Sequence, residues 1–202
     1  MQFYKRYFLS CIFLFGIYLS NAQNDIKYLR FINFGSKDGL PDKIIYAATQ
    51  DSTGFMWFVT SSGFYRFDGS QFRHYRDNKS SGDLLQTCFH DKNNNIWLGG
   101  LNSFYWFNST TNTFSYPPSN DDLNRLKHAG VNNFFRDSKN HLWISTINNY
   151  WCKWNDADSS IIFFKPFTNE VEYGSPVILK IIETPNHRLW AIGYYGIFLF
   201  DD

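Results

Sequence analysis

Short runs of apolar residues recur along the chain, separated by turns rich in Asp, Asn and Gly. In the clearest unit, an apolar segment at 43–50 and a turn at 51–54 are followed by apolar segments at 55–60 and 64–67. A more polar, alternating segment at 71–76 closes the unit. This pattern predicts four short strands joined by tight turns, and the polar fourth segment is typical of an exposed sheet edge.

The same skeleton occurs four times, and each copy contains a marker tryptophan. The marker tryptophans are Trp57, Trp97, Trp143 and Trp190. Six residues before the first three lie the turn aspartates Asp51, Asp91 and Asp137. In the fourth copy, Thr184 takes this place. A period of about 40–50 residues with four strands per unit predicts an all-β fold of about four antiparallel β-propeller blades, as a partial or small propeller.

The repeat also predicts the limits of the blades. They cover about residues 43–76, 84–117, 130–167 and 177–202. The segment 28–34 resembles a fourth strand, whereas the last unit stops after its third strand, so this segment could complete the last blade and close a ring. The same arrangement would arise at the start of an open arc, which we favour. We find no amphipathic helix of useful length.

The recurring aspartates and the cysteines are expected to be structural. Each aspartate lies at the turn of its own blade, where capping of backbone N–H groups is favoured over acid–base catalysis. Cys88 and Cys152 stand where other blades have apolar residues, which predicts buried thiols.

Charge and hydropathy indicate the cellular compartment in which the protein works. The 202-residue chain has a formal net charge of +1 and no basic stripe, which argues against a nucleic-acid partner. Residues 1–22 combine Lys5 and Arg6 with an apolar run and end in small residues before Gln23, which predicts a cleaved signal peptide. An uncleaved anchor is the alternative. The mature part is expected to be periplasmic or secreted, without membrane insertion.

Motifs that carry chemistry are sparse. The chain has three glutamates and five histidines, and the histidines show no metal-like spacing. It has no nucleophile elbow and no phosphate-binding glycine loop. We therefore expect no enzyme activity, cofactor or metal site, with a propeller lyase or glycosidase as the less favoured alternative.

Loops at one edge of the blades are the expected ligand site. Turns between second and third strands and connections between blades share this edge, where loops vary on a rigid scaffold. Amides offer donors and acceptors for sugar hydroxyls, and tyrosine rings offer flat faces for stacking. The candidate ligand-binding residues are Asn102, Asn148, Asn149, Tyr150, Tyr194 and Tyr195. The alternative is that they serve turn geometry and packing.

The first copy resembles the two-component regulator propeller repeat. The resemblance is carried by Asp-Gly-Leu-Pro at 38–41, Asp-x-x-Gly-x-x-Trp-Phe at 51–58 and Ser-x-Gly-Phe-Tyr-Arg-Phe-Asp-Gly at 61–69. Members of that family supply periplasmic sensor regions of Bacteroidetes-type histidine kinases, and many of them sense oligosaccharides. The resemblance therefore implies an extracytoplasmic module that binds a small molecule or oligosaccharide in signal transduction.

This chain departs from full members of that family, because it has no kinase motif and fewer blades. A truncated, non-signalling scaffold or remnant is therefore the alternative function. Open faces on the terminal blades could also promote self-association.

Overall fold

The computed structural model describes residues 30–40, 44–80, 84–164, 177–194 and 196–200. The chain divides into two units, Met1–Asn33 and Phe34–Asp202, and the fold given below is that of the second unit. The predicted signal peptide at 1–22 lies outside the described residues. Within the described part of the chain, no helix is long and apolar enough to cross a membrane.

The described residues form fifteen strands in four antiparallel sheets. The first sheet contains β1 (Ile45–Gln50), β2 (Met56–Thr60), β3 (Gly63–Phe67) and β4 (Phe72–Tyr75). The second contains β5 (Leu84–His90), β6 (Asn95–Leu101), β7 (Ser103–Asn108) and β8 (Thr113–Ser115). The third contains β9 (Val131–Arg136), β10 (Leu142–Thr146), β11 (Trp151–Trp154) and β12 (Ile161–Phe164). The fourth contains β13 (Ile178–Glu183), β14 (Leu189–Gly193) and β15 (Gly196–Phe200).

These sheets are propeller blades. Within each sheet the strands follow chain order, and each pairs antiparallel with the next. The first strands of successive sheets, β1, β5, β9 and β13, lie beside one another. Within the described residues, β1 and β13 are not packed together in this way. The prediction of an all-β fold built from four propeller blades is confirmed.

The core lies between successive blades. In each interface, an aromatic residue at the end of one blade's third strand packs against the marker tryptophan of the preceding blade. The pairs are Trp57 with Phe107, Trp97 with Trp154 and Trp143 with Phe200, and their ring centroids lie 5.1, 5.2 and 5.3 Å apart. These tilted and edge-on arrangements are the ones aromatic rings favour. Each of these three tryptophans is therefore buried by the following blade.

In the first blade, the turn aspartate binds both the turn and the marker tryptophan. Asp51 Oδ1 accepts hydrogen bonds from the backbone N–H groups of Thr53 and Phe55, at 3.0 and 3.1 Å. Asp51 Oδ2 accepts a bond of 2.7 Å from Trp57 Nε1. One buried carboxylate thus stabilises the β1–β2 turn and satisfies the indole that the interface buries.

The next two blades repeat this arrangement and the fourth does not. Trp97 Nε1 donates to Asp91 at 2.7 Å, and Trp143 Nε1 donates to Asp137 at 2.8 Å. In the fourth blade, the Thr184 hydroxyl lies 3.0 Å from the carbonyl oxygen of Arg188, within its own turn. The change from aspartate to threonine removes the carboxylate that holds the indole in the other blades.

One helix contradicts our expectation that no amphipathic helix of useful length is present. Helix α1 (Asp121–Ala129) lies in the connection between the second and third blades. The Asn120 side chain caps it by accepting a hydrogen bond of 2.8 Å from the backbone N–H of Leu123. The buried residues of the helix are Leu123, Leu126 and Ala129. Its apolar stripe is only three residues long, which is why the pattern did not reveal it.

The segment 28–34 forms no strand in its described part, residues 30–34. Phe34 packs against the first blade, with its ring centroid 4.7 Å from that of Phe67 and 6.4 Å from that of Phe72. Within the described residues, the fourth sheet has three strands. Closure of the fourth blade by the segment 28–34 therefore stays a prediction.

The two described cysteines are free thiols packed among apolar residues. Cys152 is buried and Cys88 is half-buried. Burial raises the pKa of the Cys88 thiol to about 12, and it also raises the pKa of Cys152. Such thiols are unreactive near neutral pH, because the thiolate is the nucleophile.

Candidate functional site

The turns between second and third strands lie at one edge of the blades, together with the segments that lead into the first strands. Backbone N–H groups of these turns donate to carbonyl oxygens just before the first strand of the same blade. The bonds join Ser61 to Ile44, Ile147 to Gly130 and Tyr194 to Val177, with N···O distances of 2.9, 2.9 and 3.3 Å. The turns and the interblade connections therefore share one edge, as the sequence predicts.

A cavity of about 520 Å³ opens at this edge between the first and second blades, and we call it the first interblade cavity. The first blade contributes residues 61–64 and the segment 74–78. The second blade contributes residues 84–85 and the rings of Tyr105 and Phe114. This volume falls within the usual range for small-molecule sites. The lining combines charged and hydroxyl groups with aromatic walls, as such sites require.

His74 presents a neutral imidazole to the cavity. Its ring stacks on Tyr65, with centroids 4.4 Å apart and planes 6° apart. Its Nδ1 lies 3.1 Å from Arg76 Nε and accepts a hydrogen bond from it. Burial, aided by the Arg76 charge, lowers the pKa of His74. Because Nδ1 is the acceptor, Nε2 carries the proton of the neutral ring and can donate a hydrogen bond.

Gly63 makes room for this imidazole. Its φ of +125° lies in the left-handed region, which favours glycine. A Cβ at this position would lie 2.6 Å from His74 Nε2. Any side chain at position 63 would therefore strain the turn and displace the imidazole.

Asp77 places a carboxylate in the same wall. Its Oδ2 accepts a hydrogen bond of 2.6 Å from the Tyr116 hydroxyl, and this bond is the main cause of the lowered pKa of Asp77. The neighbouring guanidinium of Arg76 and the hydroxyls of Ser61 and Ser62 also line the cavity. The site therefore offers both hydrogen-bond donors and acceptors, which suits a polar, mostly uncharged ligand.

A smaller cavity of about 190 Å³ lies between the third and fourth blades and is lined by the β9–β10 and β13–β14 turns. Its carboxylates already have structural partners. Glu183 accepts hydrogen bonds from the backbone N–H and the hydroxyl of Ser138, at 2.7 and 2.6 Å. The Ser138 hydroxyl is the main cause of the lowered pKa of Glu183. Among the described residues, no group of three or more His, Cys, Asp or Glu side chains could hold a metal ion.

The predicted asparagines lie in turns at the expected edge. Asn102 and Asn149 have φ values of +57° and +64°, a conformation that asparagine tolerates better than most residues. Asn148 is exposed. Within the described residues, Asn149 Oδ1 is buried without a hydrogen-bond partner. None of the three lines the first interblade cavity.

The predicted tyrosines lie in different environments. The Tyr150 ring packs against helix α1, where the Arg125 guanidinium lies 4.5 Å from the ring centroid. Tyr194 is 69% exposed. Tyr195 lies outside the described residues. Like the asparagines, Tyr150 and Tyr194 lie away from the first interblade cavity.

The turn at 61–63 and the connection that begins at Asp77 belong to the predicted loop edge and line this cavity, but its main residues were not predicted. His74 and Arg76 lie on a segment interpreted as a polar sheet edge. Tyr105 belongs to the repeat skeleton. One available signal was Gly63, since the equivalent turns of the second and third blades lack this glycine.

Solved structures of other proteins have a similar fold. No family model and no curated protein matches the chain. The extracellular domain of the putative hybrid two-component system BT4673 from B. thetaiotaomicron matches with 16% identity and a TM-score of 0.65, over 86% of this chain and 22% of that one. That of BT3049, from the same organism, matches with 18% identity and a TM-score of 0.53, over 84% of this chain and 30% of that one.

The chain has the blade fold of these extracellular domains. This agrees with the family that the first repeat resembles. Virginiamycin B lyase from Staphylococcus aureus matches with 17% identity and a TM-score of 0.58, over 79% of this chain and 56% of that one. The chain therefore spans less than a third of the two-component extracellular domains and about half of the lyase. Since these matches include putative two-component systems and an enzyme, function has to be inferred from the site.

Proposed function

We propose that this chain is an extracytoplasmic ligand-binding module of the sensor type, and that it binds a short oligosaccharide in the first interblade cavity. The observation that supports this most is the lining of the cavity: a neutral His74 beside Arg76 and Asp77, with aromatic side chains from both blades. The predicted signal peptide and the extracellular origin of the Bacteroides relatives support the location.

The chemistry of the cavity suits a sugar. Sugar hydroxyls both donate and accept hydrogen bonds, so they pair with mixed donors and acceptors rather than with a single sign of charge. His74 Nε2 and Arg76 supply donors, and Asp77 supplies acceptor oxygens. The half-buried rings of Tyr75 and Phe114 supply apolar surface at the cavity for the flat face of a pyranose. A ligand here would contact two blades at once, which would couple binding to their relative position.

The signalling role follows from the resemblance to two-component sensors. In this proposal, ligand binding changes the contact between the first two blades, and a histidine kinase system responds to that change. A scaffold or remnant without a ligand is the alternative, and a propeller lyase is a further one.

Calorimetric titration with a panel of neutral oligosaccharides tests the proposal, with charged oligosaccharides as a second panel. His74→Phe keeps a ring that can stack on Tyr65 and removes the imidazole donor. Arg76→Gln removes the guanidinium charge. Each change should weaken binding roughly tenfold, the equivalent of about one hydrogen bond.

The matched controls are Asn148→Ala and Tyr194→Ala, which alter exposed turn residues at the same edge. They should bind as the parent chain does. Loss of binding in these two variants, with none in the cavity variants, would move the site to the turns. A chain that binds no saccharide in either panel would favour the scaffold.

A further inference from the structure

Each blade packs one face against the following blade, and we call this the leading face; the opposite face is the trailing face. Strand register places five residues of each leading face at matching positions. In the third blade they are Phe135, Trp143, Ser145, Trp151 and Lys153. In the fourth blade they are Ile182, Trp190, Ile192, Ile197 and Leu199. The leading face of the fourth blade is thus apolar at all five positions.

This face is open in the structure. Phe64, Phe104, Trp151 and Ile197 occupy the same position of the third strand, opposite the residue two places after the marker tryptophan. The first three are each 2% exposed, whereas Ile197 of the fourth blade is 67% exposed. Trp190 is half-buried, although the other marker tryptophans are buried. An exposed apolar sheet face of this kind marks an interaction surface.

The three internal interfaces show what such a face accepts. In each one, the trailing face of a blade inserts an aromatic residue from the end of its third strand beside the marker tryptophan. These residues are Phe107, Trp154 and Phe200. The complementary partner for the fourth blade is therefore a trailing face that carries an aromatic residue at the same position.

The trailing face of the first blade meets this requirement and is itself incompletely covered. Phe67 stands at the position of Phe107 and Phe200. Ala48, on the same face, is exposed, whereas its equivalents in the third and fourth blades are buried. The ring centroids of Phe34 and Phe67 lie 4.7 Å apart. Phe34 thus takes the place that a marker tryptophan has in the internal interfaces.

We propose that the leading face of the fourth blade binds the trailing face of the first blade of a second copy of this chain. Phe67 of the second copy inserts beside Trp190, and Phe34 of that copy is displaced. Leading-on-trailing contact continues an interface that the chain already forms three times. Two leading faces in contact would lack the inserted aromatic residue, so the head-to-tail arrangement is the favoured one.

Sedimentation velocity over a range of protein concentrations, with three arginine variants, tests this arrangement. Ile197→Arg blocks the leading face of the fourth blade, and Ala48→Arg blocks the trailing face of the first. Both replace exposed side chains, so the fold should tolerate them. The matched control is Ile162→Arg on β12, which is also an exposed isoleucine but lies on neither terminal face.

The parent chain and Ile162→Arg should associate as concentration rises. Each blocked variant alone should remain monomeric. An equimolar mixture of the two blocked variants should form a dimer and nothing larger, because it retains one intact face of each kind. Phe34→Ala should tighten association roughly twofold to tenfold, since it removes the ring that competes for Phe67.

Three results would overturn the proposal. The parent chain could remain monomeric at all concentrations, which would mean that no second copy covers the face. Ala48→Arg alone could associate as the parent does while Ile197→Arg does not, which would indicate two leading faces in contact. Both blocked variants could still associate, which would place the interface elsewhere. Circular dichroism of each variant separates these results from misfolding.

Discussion

Trp143 and Trp190 occupy the same position in adjacent blades, yet their surroundings differ. Trp143 is 4% exposed, its indole donates to Asp137, and its ring packs against Phe200 of the following blade. Trp190 is half-buried and has Thr184 in place of the aspartate. The repeat thus determines the strand and the turn of each tryptophan, whereas its burial depends on the next blade.

Truncation of the two tryptophans should give the largest difference between the blades. Trp143→Ala should lower the free energy of unfolding by about 3–5 kcal/mol, because it opens a cavity between two blades. Trp190→Ala should cost roughly 1–2 kcal/mol, since much of its ring is already solvated. Urea denaturation followed by circular dichroism measures both. Equal losses would show that the fourth blade buries its tryptophan by other means.

The turn carboxylates should have the next largest effect. Asp137→Ala leaves a buried indole N–H without its acceptor and weakens the turn, at a cost of about 1–3 kcal/mol. Thr184→Ala is the matched change in the fourth blade and should cost about 1 kcal/mol or less. The same denaturation experiment compares them. A larger loss from Thr184→Ala would contradict a structural role for the carboxylate.

Acid should destabilise the fold through Asp137. Burial by itself would raise the pKa of Asp137, but the hydrogen bonds from Trp143 and His141 outweigh it, and the pKa lies below its ordinary value of 3.8. A depressed folded-state pKa adds stability above pH 3.8, and this stability is lost as the pH falls through the lower value. Thermal unfolding between pH 7 and pH 3 measures this loss. Asp137→Asn should reduce the fall in melting temperature between pH 7 and pH 3. An unchanged fall would exclude Asp137 as a contributor.

The smallest expected effect is a gain in the free energy of unfolding. Thr184→Asp restores the missing carboxylate next to Trp190 and should raise the free energy of unfolding by about 0.5–1 kcal/mol above pH 5. The gain is small because the half-buried indole can also bind water. Thr184→Asn is the uncharged control, and its gain should not depend on pH. A loss of stability in Thr184→Asp would mean that the fourth turn differs in geometry from the other three.

Sequence was sufficient for features that repeat within a blade. The marker tryptophans and turn aspartates are local, so their spacing predicted the four sheets and the order of the strands. Helix α1 was missed because it interrupts the repeat and carries only three buried residues. Its cap, Asn120, could have indicated it.

Features formed between blades could not be predicted in this way. The first interblade cavity joins residues 61–64 and 74–78 of one blade to Tyr105 and Phe114 of the next. No spacing within a repeat brings these groups together. Open faces on the terminal blades were expected from the sequence, but the exposure of single residues there was not, since Trp190 matches the other marker tryptophans in sequence and yet is only half-buried.

Hydrogen exchange of the indole Nε1–H groups tests most directly the claim that the following blade buries each marker tryptophan. The resonances can be assigned with single Trp→Phe variants, and exchange can be measured at a concentration where the chain is monomeric. We predict strong protection for Trp57, Trp97 and Trp143 and fast exchange for Trp190, with Trp190 becoming protected as concentration rises. Protection of Trp190 equal to that of Trp143 in the monomer would contradict the account.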